Sequence, residues 1–323
     1  MKYKNFQEKC LTKIDMNEIL DDRSSTGRKR PWAEKKMKNV ELAEVYRKIN
    51  ERKTERLLQC GDFLTFEVDS AGKKRLKSGN FCRVRLCPLC SWRRSLKIFR
   101  QMTMIMQAAA PLGMEYLLLT LTVKNCAGDE LNEKIKAMMT AFGSFRHRKA
   151  VKSVAKAWYR ALEITYNPEM QEYHPHFHVI IGVNPSYFTD KRYYLSQKKW
   201  TELWQKSMKL DYTPVCDVRK VKGDTAKAVA ETAKYTVKES DYLLEDKDMT
   251  VDVVRTLDEA LDSKRLVAYG GIFKELHKKL NLDDAVDGDL VHTGDEEKLS
   301  DDEKHEIAFM WSAGLKNYYK IER

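Results

Sequence analysis

Residues 173–181 read Tyr-His-Pro-His-Phe-His-Val-Ile-Ile, and this segment decides how the chain is interpreted. Three of the seven histidines lie here at alternate positions, His174, His176 and His178, just before an apolar run. Alternate side chains of a strand share one face, so the pattern predicts imidazoles that point into one volume. Pro175 has no N–H and belongs at a strand's start or edge, which leaves His176 and His178 as the regular pair. The pair predicts a site for a divalent metal; the competing interpretation is that these histidines merely flank a buried strand.

Length and composition set the broad class. The 323 residues suffice for two domains, or for one domain with large appendages, and the hydrophobic fraction of 42% supports a real core. The longest apolar runs are far too short to cross a bilayer, and the first residues lack the apolar segment of a secretory signal. We therefore expect a cytoplasmic protein with no membrane partner.

The charge of the chain is strongly uneven. Its net charge is +11, yet residues 71–100 hold ten basic residues and no acidic one, whereas residues 281–303 hold ten acidic residues against one lysine. A basic block of this kind is typical of a protein that binds a polyanion such as DNA, while the acidic stretch is expected to be a solvated loop. The basic residues of the block chosen as candidate DNA contacts are Arg83, Arg85, Arg93, Arg94 and Lys97.

Cysteine spacing indicates a second metal site. The seven cysteines are an odd number, which argues against a disulfide framework in an intracellular protein. Cys87 and Cys90 form a C-x2-C pair, with Cys82 shortly before it and Cys60 one predicted hairpin upstream. Thiolates at this spacing can hold Zn²⁺ tetrahedrally, so we expect a structural zinc with these four ligands. The alternative is a set of free thiols in a reduced cell.

The periodicity predicts an α+β fold with a central antiparallel sheet and flanking helices. An N-terminal Cys-rich basic module is expected before this sheet, and a C-terminal helical extension after it. A hairpin is predicted over residues 60–80. The other predicted strands are 115–124, 159–166, 176–183 and 215–221, and the main predicted helices are 131–146, 191–208 and 225–238.

The last of these helices carries a candidate catalytic pair. Glu231 and Tyr235 are four residues apart and therefore share a helical face, and Lys234 and Lys238 flank the tyrosine. A phenol becomes a useful nucleophile when cations favour the phenolate and the electrophile is a polarised phosphate. Taken alone, the pair favours an ordinary surface helix, because Glu and Tyr four residues apart occur on many such helices.

Taken together, these motifs resemble the replication initiator proteins of small rolling-circle plasmids from Gram-positive bacteria, within the HUH endonuclease superfamily. The matching segments are Leu-Leu-Thr-Leu-Thr at 118–122, His-Phe-His at 176–178 and Glu-Thr-Ala-Lys-Tyr at 231–235. The cysteine segment and Tyr-Gly-Gly-Ile-Phe-Lys-Glu at 269–275 also look like this plasmid family. The resemblance runs from about residue 28 to the C-terminus. It implies a basic, Cys-rich zinc and DNA-binding region at 1–110, a nicking and joining domain at 111–245, and a helical and acidic region at 246–323.

The resemblance implies that His176 and His178 hold Mg²⁺ or Mn²⁺ against the scissile phosphate. Glu163 is the preferred third ligand, since residues 159–166 are expected to form the neighbouring strand, and His174 is its competitor. Tyr235 would attack one strand of the double-strand origin and leave a 5′-phosphotyrosyl link and a 3′-OH primer. Glu231 would direct water at termination. Tyr242, seven residues after Tyr235, is the alternative second nucleophile.

The implied partners are plasmid origin DNA, single-stranded or hairpin at the nick, and the host helicase, single-strand binding protein and DNA polymerase. A homodimer is a further expectation. Lys234 and Lys238 join the basic block as candidate DNA contacts. Two alternatives stay open at this stage. One is a zinc-containing DNA-binding regulator without nicking activity, and the other is an HUH transposase or relaxase that acts on other DNA ends.

Overall fold

A computed structural model of the chain describes residues 19–223, 225–233, 236–294, 296, 298–300 and 304–321, without the side chain of Lys227. Its helices are α1 (Trp32–Tyr46), α2 (Glu51–Gln59), α3 (Pro88–Ala109), α4 (Gly128–His147), α5 (Lys149–Val154), α6 (Ser186–Thr189), α7 (Gln197–Met208), α8 (Thr225–Thr232), α9 (Lys247–Leu261) and α10 (Ile272–Lys279). Its strands are β1 (Phe63–Val68), β2 (Lys74–Gly79), β3 (Glu115–Thr122), β4 (Ala157–Asn167), β5 (Glu172–Val183), β6 (Cys216–Lys220), β7 (Val267–Gly271), β8 (His305–Ser312) and β9 (Asn317–Ile321).

The chain divides into two compact units. One unit contains the residues up to Arg93 and those from Asp289 onward, and the other is Arg94–Gly288. Each unit has its own antiparallel sheet, with strand order β2-β1-β8-β9 in the first and β6-β3-β5-β4-β7 in the second. The α+β class with antiparallel sheets and flanking helices, predicted from the sequence, is confirmed.

The first unit confirms the predicted hairpin, which is β1 and β2. Asp69 shapes its turn, because its Oδ1 accepts hydrogen bonds from the backbone N–H groups of Ala71 (3.0 Å) and Lys73 (2.9 Å). Gly72 supplies a positive φ of 77° that side-chain-bearing residues rarely adopt. Trp32 fills the core beneath the sheet and packs edge-on against Trp92, with ring centroids 4.7 Å apart.

The two units follow other boundaries than the expected regions 1–110, 111–245 and 246–323. The chain after residue 245 is shared between them, because β7 pairs with β4 of the central sheet whereas β8 pairs with β1 of the hairpin sheet. The expected helical extension does contain α9 and α10, but the chain ends in the two strands β8 and β9, which the sequence did not indicate.

The five-stranded sheet of the second unit positions the histidines. One of its faces is apolar: Phe177 of β5 packs against Phe142 of α4 (5.7 Å between centroids) and Trp204 of α7 (6.2 Å). Side chains alternate along β5, so His176 and His178 lie on the opposite face. The helices that cover the Phe177 face therefore leave the histidine face to other partners.

Candidate functional site

Three side chains converge on the histidine face of the central sheet. Antiparallel register places Glu163 of β4 opposite His176 of β5, with His178 two residues further along. Glu163 Oε2 lies 2.7 Å from His178 Nε2 and 3.5 Å from His176 Nε2. A divalent cation held octahedrally at about 2.1 Å separates neighbouring ligand atoms by about 3 Å, so this cluster fits such an ion.

Each of the two imidazoles has a polar contact at its Nδ1 atom. His176 Nδ1 lies 3.1 Å from the carbonyl oxygen of His174, a group that can only accept a hydrogen bond. His178 Nδ1 lies 3.4 Å from the Thr120 hydroxyl of β3. Both contacts leave the Nε2 atoms directed at Glu163, as outer partners of metal-binding histidines commonly do.

Glu163 is a buried carboxylate, and its surroundings keep it charged. Burial alone would raise the pKa of Glu163, but hydrogen bonds from His176 and His178 outweigh burial and lower the pKa below its ordinary value. Lys238 Nζ lies 3.8 Å from Glu163 Oε1. The cluster therefore presents a carboxylate and two imidazoles, the donor set that a hard or borderline divalent cation accepts.

His174, the expected competitor for the third ligand position, does not join this group. The ligand atoms of Glu163, His176 and His178 all lie within 4.8 Å of one another, and His174 is not among them. Its ring instead packs beside that of His176, with centroids 5.1 Å apart. Burial, and secondarily the neighbouring His176, lowers the pKa of His174.

Glu231 lies on α8 and is held by an arginine from the edge strand β6. The Arg219 guanidinium donates a hydrogen bond to the Glu231 carboxylate, and Asp217 Oδ2 lies 3.5 Å from Arg219 Nε. Strand register pairs Asp217 with Thr120, which in turn pairs with His178. Cross-strand neighbours share a face, so Asp217 and Arg219 lie on the same face as the histidines.

The expected helix over residues 225–238 is shorter than predicted. It ends at Thr232, and the Thr236 carbonyl accepts a hydrogen bond of 2.7 Å from the backbone N–H of Ile164. The part of β4 beyond its pairing with β7 thus offers this segment a backbone hydrogen-bond partner, which a continued helix would not use. The predicted nucleophile Tyr235 and its neighbour Lys234 lie outside the described residues.

Tyr242, the alternative second nucleophile, belongs to the core. Its side chain is only 1% exposed. A phenol in this position cannot meet a DNA phosphate without local unfolding, so the geometry disfavours a nucleophilic role for Tyr242.

The four predicted zinc ligands come together in the first unit. Cys60 Sγ lies 3.6 Å from the Sγ atoms of both Cys87 and Cys90, and the Cys82 and Cys90 sulfurs are 3.7 Å apart. A tetrahedral zinc with bonds of about 2.3 Å separates its sulfurs by about 3.8 Å, so the donor set fits this ion closely.

The surroundings of the four sulfurs also fit a thiolate site. All four cysteines are buried. The backbone N–H of Cys82 donates to Cys60 Sγ (3.3 Å), that of Arg83 to Cys90 Sγ (3.2 Å), and the Asn39 amide to Cys87 Sγ (3.3 Å). N–H donors aimed at sulfur favour its anionic form, which is the form that binds metal.

Three of the seven candidate DNA contacts are buried, which corrects the interpretation of the basic block as a surface. Arg93 is 2% exposed and donates to the carbonyls of Leu290 (2.9 Å) and Val291 (2.7 Å). Arg94 donates to the Val286 carbonyl (3.0 Å), and Lys97 pairs with Asp283. Acidic and carbonyl groups of the segment expected to be a solvated loop thus satisfy these cations.

The remaining described candidates differ in their exposure. Arg83 and Lys238 are exposed, and Arg85 is half-buried. Sequence reasoning gave no role to Thr120, which contacts His178, or to Arg219, which contacts Glu231. Thr120 lies inside the motif at 118–122 and could have been found there, whereas Arg219 occupies a short edge strand that carries no such signal.

In the part of the chain that the structure describes, no helix combines the length and apolar character needed to span a membrane.

Comparison with known proteins identifies the family. The family model described as replication protein, Rep_1, matches residues 73–319. The Protein rep of Bacillus amyloliquefaciens is 41% identical over 93% of this chain and 96% of its own length. Proteins of the same name from Streptococcus pneumoniae serotype 2 (39% identical; 94% of this chain, 96% of its own) and Lentilactobacillus hilgardii (37%; 93% and 98%) match similarly. No solved structure matches. Because the family match spans most of the sequence and these relatives align along nearly their whole length, the chain belongs to the Rep_1 family of replication proteins.

Proposed function

We propose that this protein initiates plasmid rolling-circle replication by nicking one strand of the double-strand origin through Tyr235. The observation that carries the proposal is the cluster of Glu163, His176 and His178, whose ligand atoms lie within 4.8 Å of one another on one face of the central sheet. A carboxylate with two imidazoles is suited to a divalent cation and thus to phosphoryl chemistry.

The chain on either side of Tyr235 supports its role. Thr236 is bonded to Ile164, the residue after Glu163, and Lys238 reaches to 3.8 Å from Glu163 itself. On the other side, the Thr232 carbonyl accepts a hydrogen bond from the Tyr159 hydroxyl of the same strand β4 (3.3 Å). Thr232 and Thr236, three residues before and one residue after Tyr235 in the sequence, thus both contact the strand that carries Glu163.

Each residue then has a defined part in the nick. Glu163, His176 and His178 would hold Mg²⁺ or Mn²⁺, which would supply Lewis-acid polarisation of the scissile phosphate. The Tyr235 oxygen forms a bond to phosphorus while the bond from phosphorus to the 3′ oxygen breaks, and the phenol proton passes to solvent. The 3′ oxygen takes up a proton and becomes the free primer end. Lys238 is exposed and lies beside Glu163, so it can contact a phosphate oxygen of the DNA strand there.

Glu231 is proposed to act at termination. Its carboxylate is partly exposed and fixed by Arg219, so it can accept a proton from a water that attacks a phosphotyrosyl bond. Hydrolysis by this route would return the tyrosine and release the protein from DNA.

The four cysteines are proposed to hold a structural Zn²⁺ that stiffens the first unit. The exposed Arg83 lies next to the ligand Cys82 and donates its backbone N–H to Cys90 Sγ. Metal binding would therefore fix the backbone from which Arg83 and Arg85 approach the origin.

The test uses a labelled single-stranded origin oligonucleotide with Mg²⁺ or Mn²⁺ and denaturing gels. The wild type should give a metal-dependent nick and a protein–DNA band that survives denaturation. Tyr235→Phe should give neither, while the matched variant Tyr242→Phe should retain both if it folds.

The outcomes separate this proposal from its alternatives. An adduct that persists in Tyr235→Phe would move the nucleophile to another residue. Binding of origin DNA without any nick by the wild type would favour a zinc-containing DNA-binding regulator.

A further inference from the structure

A second basic region lies at the end of the central sheet where β5 finishes at Val183. Between Glu133 and Glu163 the chain carries eight lysines and arginines and no acidic residue. Within this stretch Lys149, Lys152 and Lys156 are exposed. The backbone N–H of Lys156 donates to the Gly182 carbonyl (2.9 Å), which fixes the end of this basic stretch beside the end of β5.

Two exposed tyrosines lie in the loop that follows α6. Tyr193 is 41% and Tyr194 is 55% exposed, which is unusual for rings of this size. The loop is anchored, because the buried Tyr187 donates its hydroxyl to the Leu195 carbonyl (2.8 Å) and accepts a hydrogen bond from the Trp200 indole (3.0 Å). The Tyr187 ring also lies 5.6 Å from that of Tyr194. The rings are therefore held outward on a fixed support.

A polar cleft lies between Tyr193 and the basic stretch. Its volume is about 240 Å³, and its lining includes Ser153, Lys156, Asn184, Ser186 and Tyr193. An amide, two hydroxyls, an ammonium and an aromatic ring are the groups that recognise a nucleotide: the ring stacks on a base, the amide bonds its edge, and the ammonium pairs with phosphate.

We propose that this surface, defined as Lys152, Ser153, Lys156, Asn184, Tyr193 and Tyr194 and called the Tyr193 surface, binds single-stranded DNA of the substrate strand. The inference rests on the proposed function, since it requires that the protein act on DNA. Stacking surfaces with interleaved cations suit unpaired bases, whose faces are open, and not a duplex, whose bases are already stacked.

The distance along the sheet sets the length of DNA involved. His178 and Val183 are five residues apart on β5, which corresponds to about 17 Å at 3.3 Å per residue. A stacked strand needs at least about five nucleotides for this length of β5 alone. The full path is longer, because Tyr187 is hydrogen-bonded to Trp200 of α7, a helix on the sheet face opposite the histidines. An oligonucleotide restricted to the bases next to the nick would therefore not reach the Tyr193 surface.

The test measures the binding of full-length protein to a fluorescent 30-nucleotide origin strand by anisotropy, without added Mg²⁺ or Mn²⁺. The double variant Tyr193→Ala/Tyr194→Ala should bind this strand at least about tenfold more weakly, because each lost stacking contact weakens binding by about that factor. Tyr193→Phe/Tyr194→Phe should bind like the wild type, since the rings remain.

The charges are tested with a matched pair of variants. Lys152→Ala/Lys156→Ala should weaken binding and reduce its salt dependence, whereas Lys278→Ala/Lys279→Ala, which removes two exposed lysines from α10, should do so far less. Adduct formation on a six-nucleotide strand around the nick should be unchanged in the tyrosine variants. Photocrosslinking of a strand with 5-iododeoxyuridine should label Tyr193 or Tyr194.

Two results would overturn the proposal: an affinity of the double alanine variant within twofold of wild type, or an equal loss of affinity for the single strand and for the corresponding duplex. Failure of the proposed function would look different, since wild-type protein would then bind the 30-nucleotide strand and form no adduct on any substrate.

Discussion

Arg219 is the residue whose contact most directly affects the proposed chemistry. It donates to Glu231 and also lies near Asp217, so two carboxylates share one guanidinium. We expect Arg219→Gln to leave the first nick intact and to slow hydrolysis of the phosphotyrosyl adduct about tenfold, because Glu231 loses its fixed position. The decay of the denaturation-resistant band after a single round of cleavage measures this rate.

The control for this prediction is Arg255→Gln, which breaks an exposed pair with Asp252 on α9 (3.0 Å) and should change neither step. Arg219→Lys should restore part of the hydrolysis rate, because an ammonium keeps the charge but lacks the planar guanidinium that contacts both Glu231 and Asp217. Slowed nicking together with slowed hydrolysis in Arg219→Gln would instead indicate a general effect on the fold or on DNA binding.

Thr120 affects the cluster of Glu163, His176 and His178 through its contact with His178. Its hydroxyl lies 3.4 Å from His178 Nδ1, and loss of such a partner commonly weakens metal binding by about tenfold or more. We expect Thr120→Val to raise the Mn²⁺ concentration needed for half-maximal cleavage by about tenfold, with the rate restored at saturating Mn²⁺. Thr103→Val, which removes a helical hydroxyl bonded to the Phe99 carbonyl, is the matched control. An unchanged Mn²⁺ requirement in Thr120→Val would contradict the positioning role.

At the scale of secondary-structure elements, those that a local sequence pattern specifies were predicted correctly. Those that depend on a partner far away in the sequence were not. Strand β5 was predictable because alternation of histidines and apolar residues appears within one short segment, and the hairpin because Gly72 marks its turn. By contrast, β8 pairs with β1 across about 240 residues of sequence, a contact that no local pattern encodes. The end of α8 was missed for the same reason. The Thr236 carbonyl bonds to the backbone N–H of Ile164 on β4, about 70 residues earlier in the sequence, and not to a group of its own helix.

The cysteine cluster connects the hairpin to α3, so its loss should affect the first unit as a whole. We expect purified protein to contain one zinc per chain, and Cys60→Ser to lose it and to lower the melting temperature by about 10 °C or more. Zinc content by mass spectrometry and thermal unfolding followed by circular dichroism provide the measurements. Cys216→Ser, which changes a buried cysteine outside the cluster, should keep its zinc. Full zinc content in Cys60→Ser would show that the four sulfurs do not act together.

At the scale of the whole molecule, the ten basic residues at 71–100 overstate the positive charge that this segment can offer to DNA. Arg93, Arg94 and Lys97 point inward and are satisfied by groups at 283–291, nearly 200 residues later in the chain. A sequence shows the density of basic residues but not their burial, which depends on such distant partners. The block therefore divides into cations that stabilise the fold and cations that can meet phosphate.

This division predicts two different results from removing charge. Arg83→Ala/Arg85→Ala should reduce the slope of log affinity against log salt by about 2, because each phosphate contact contributes about 0.9 on duplex origin DNA. Lys97→Met should leave that slope unchanged and destabilise the protein by about 1–2 kcal/mol, a modest cost because Asp283 is partly exposed to water and can be resolvated. Binding titrations at several salt concentrations and chemical denaturation separate the two effects. A reduced salt slope with unchanged stability in Lys97→Met would mean that its ammonium reaches DNA, and the assignment of buried and DNA-contacting cations would then have to be reversed at that position.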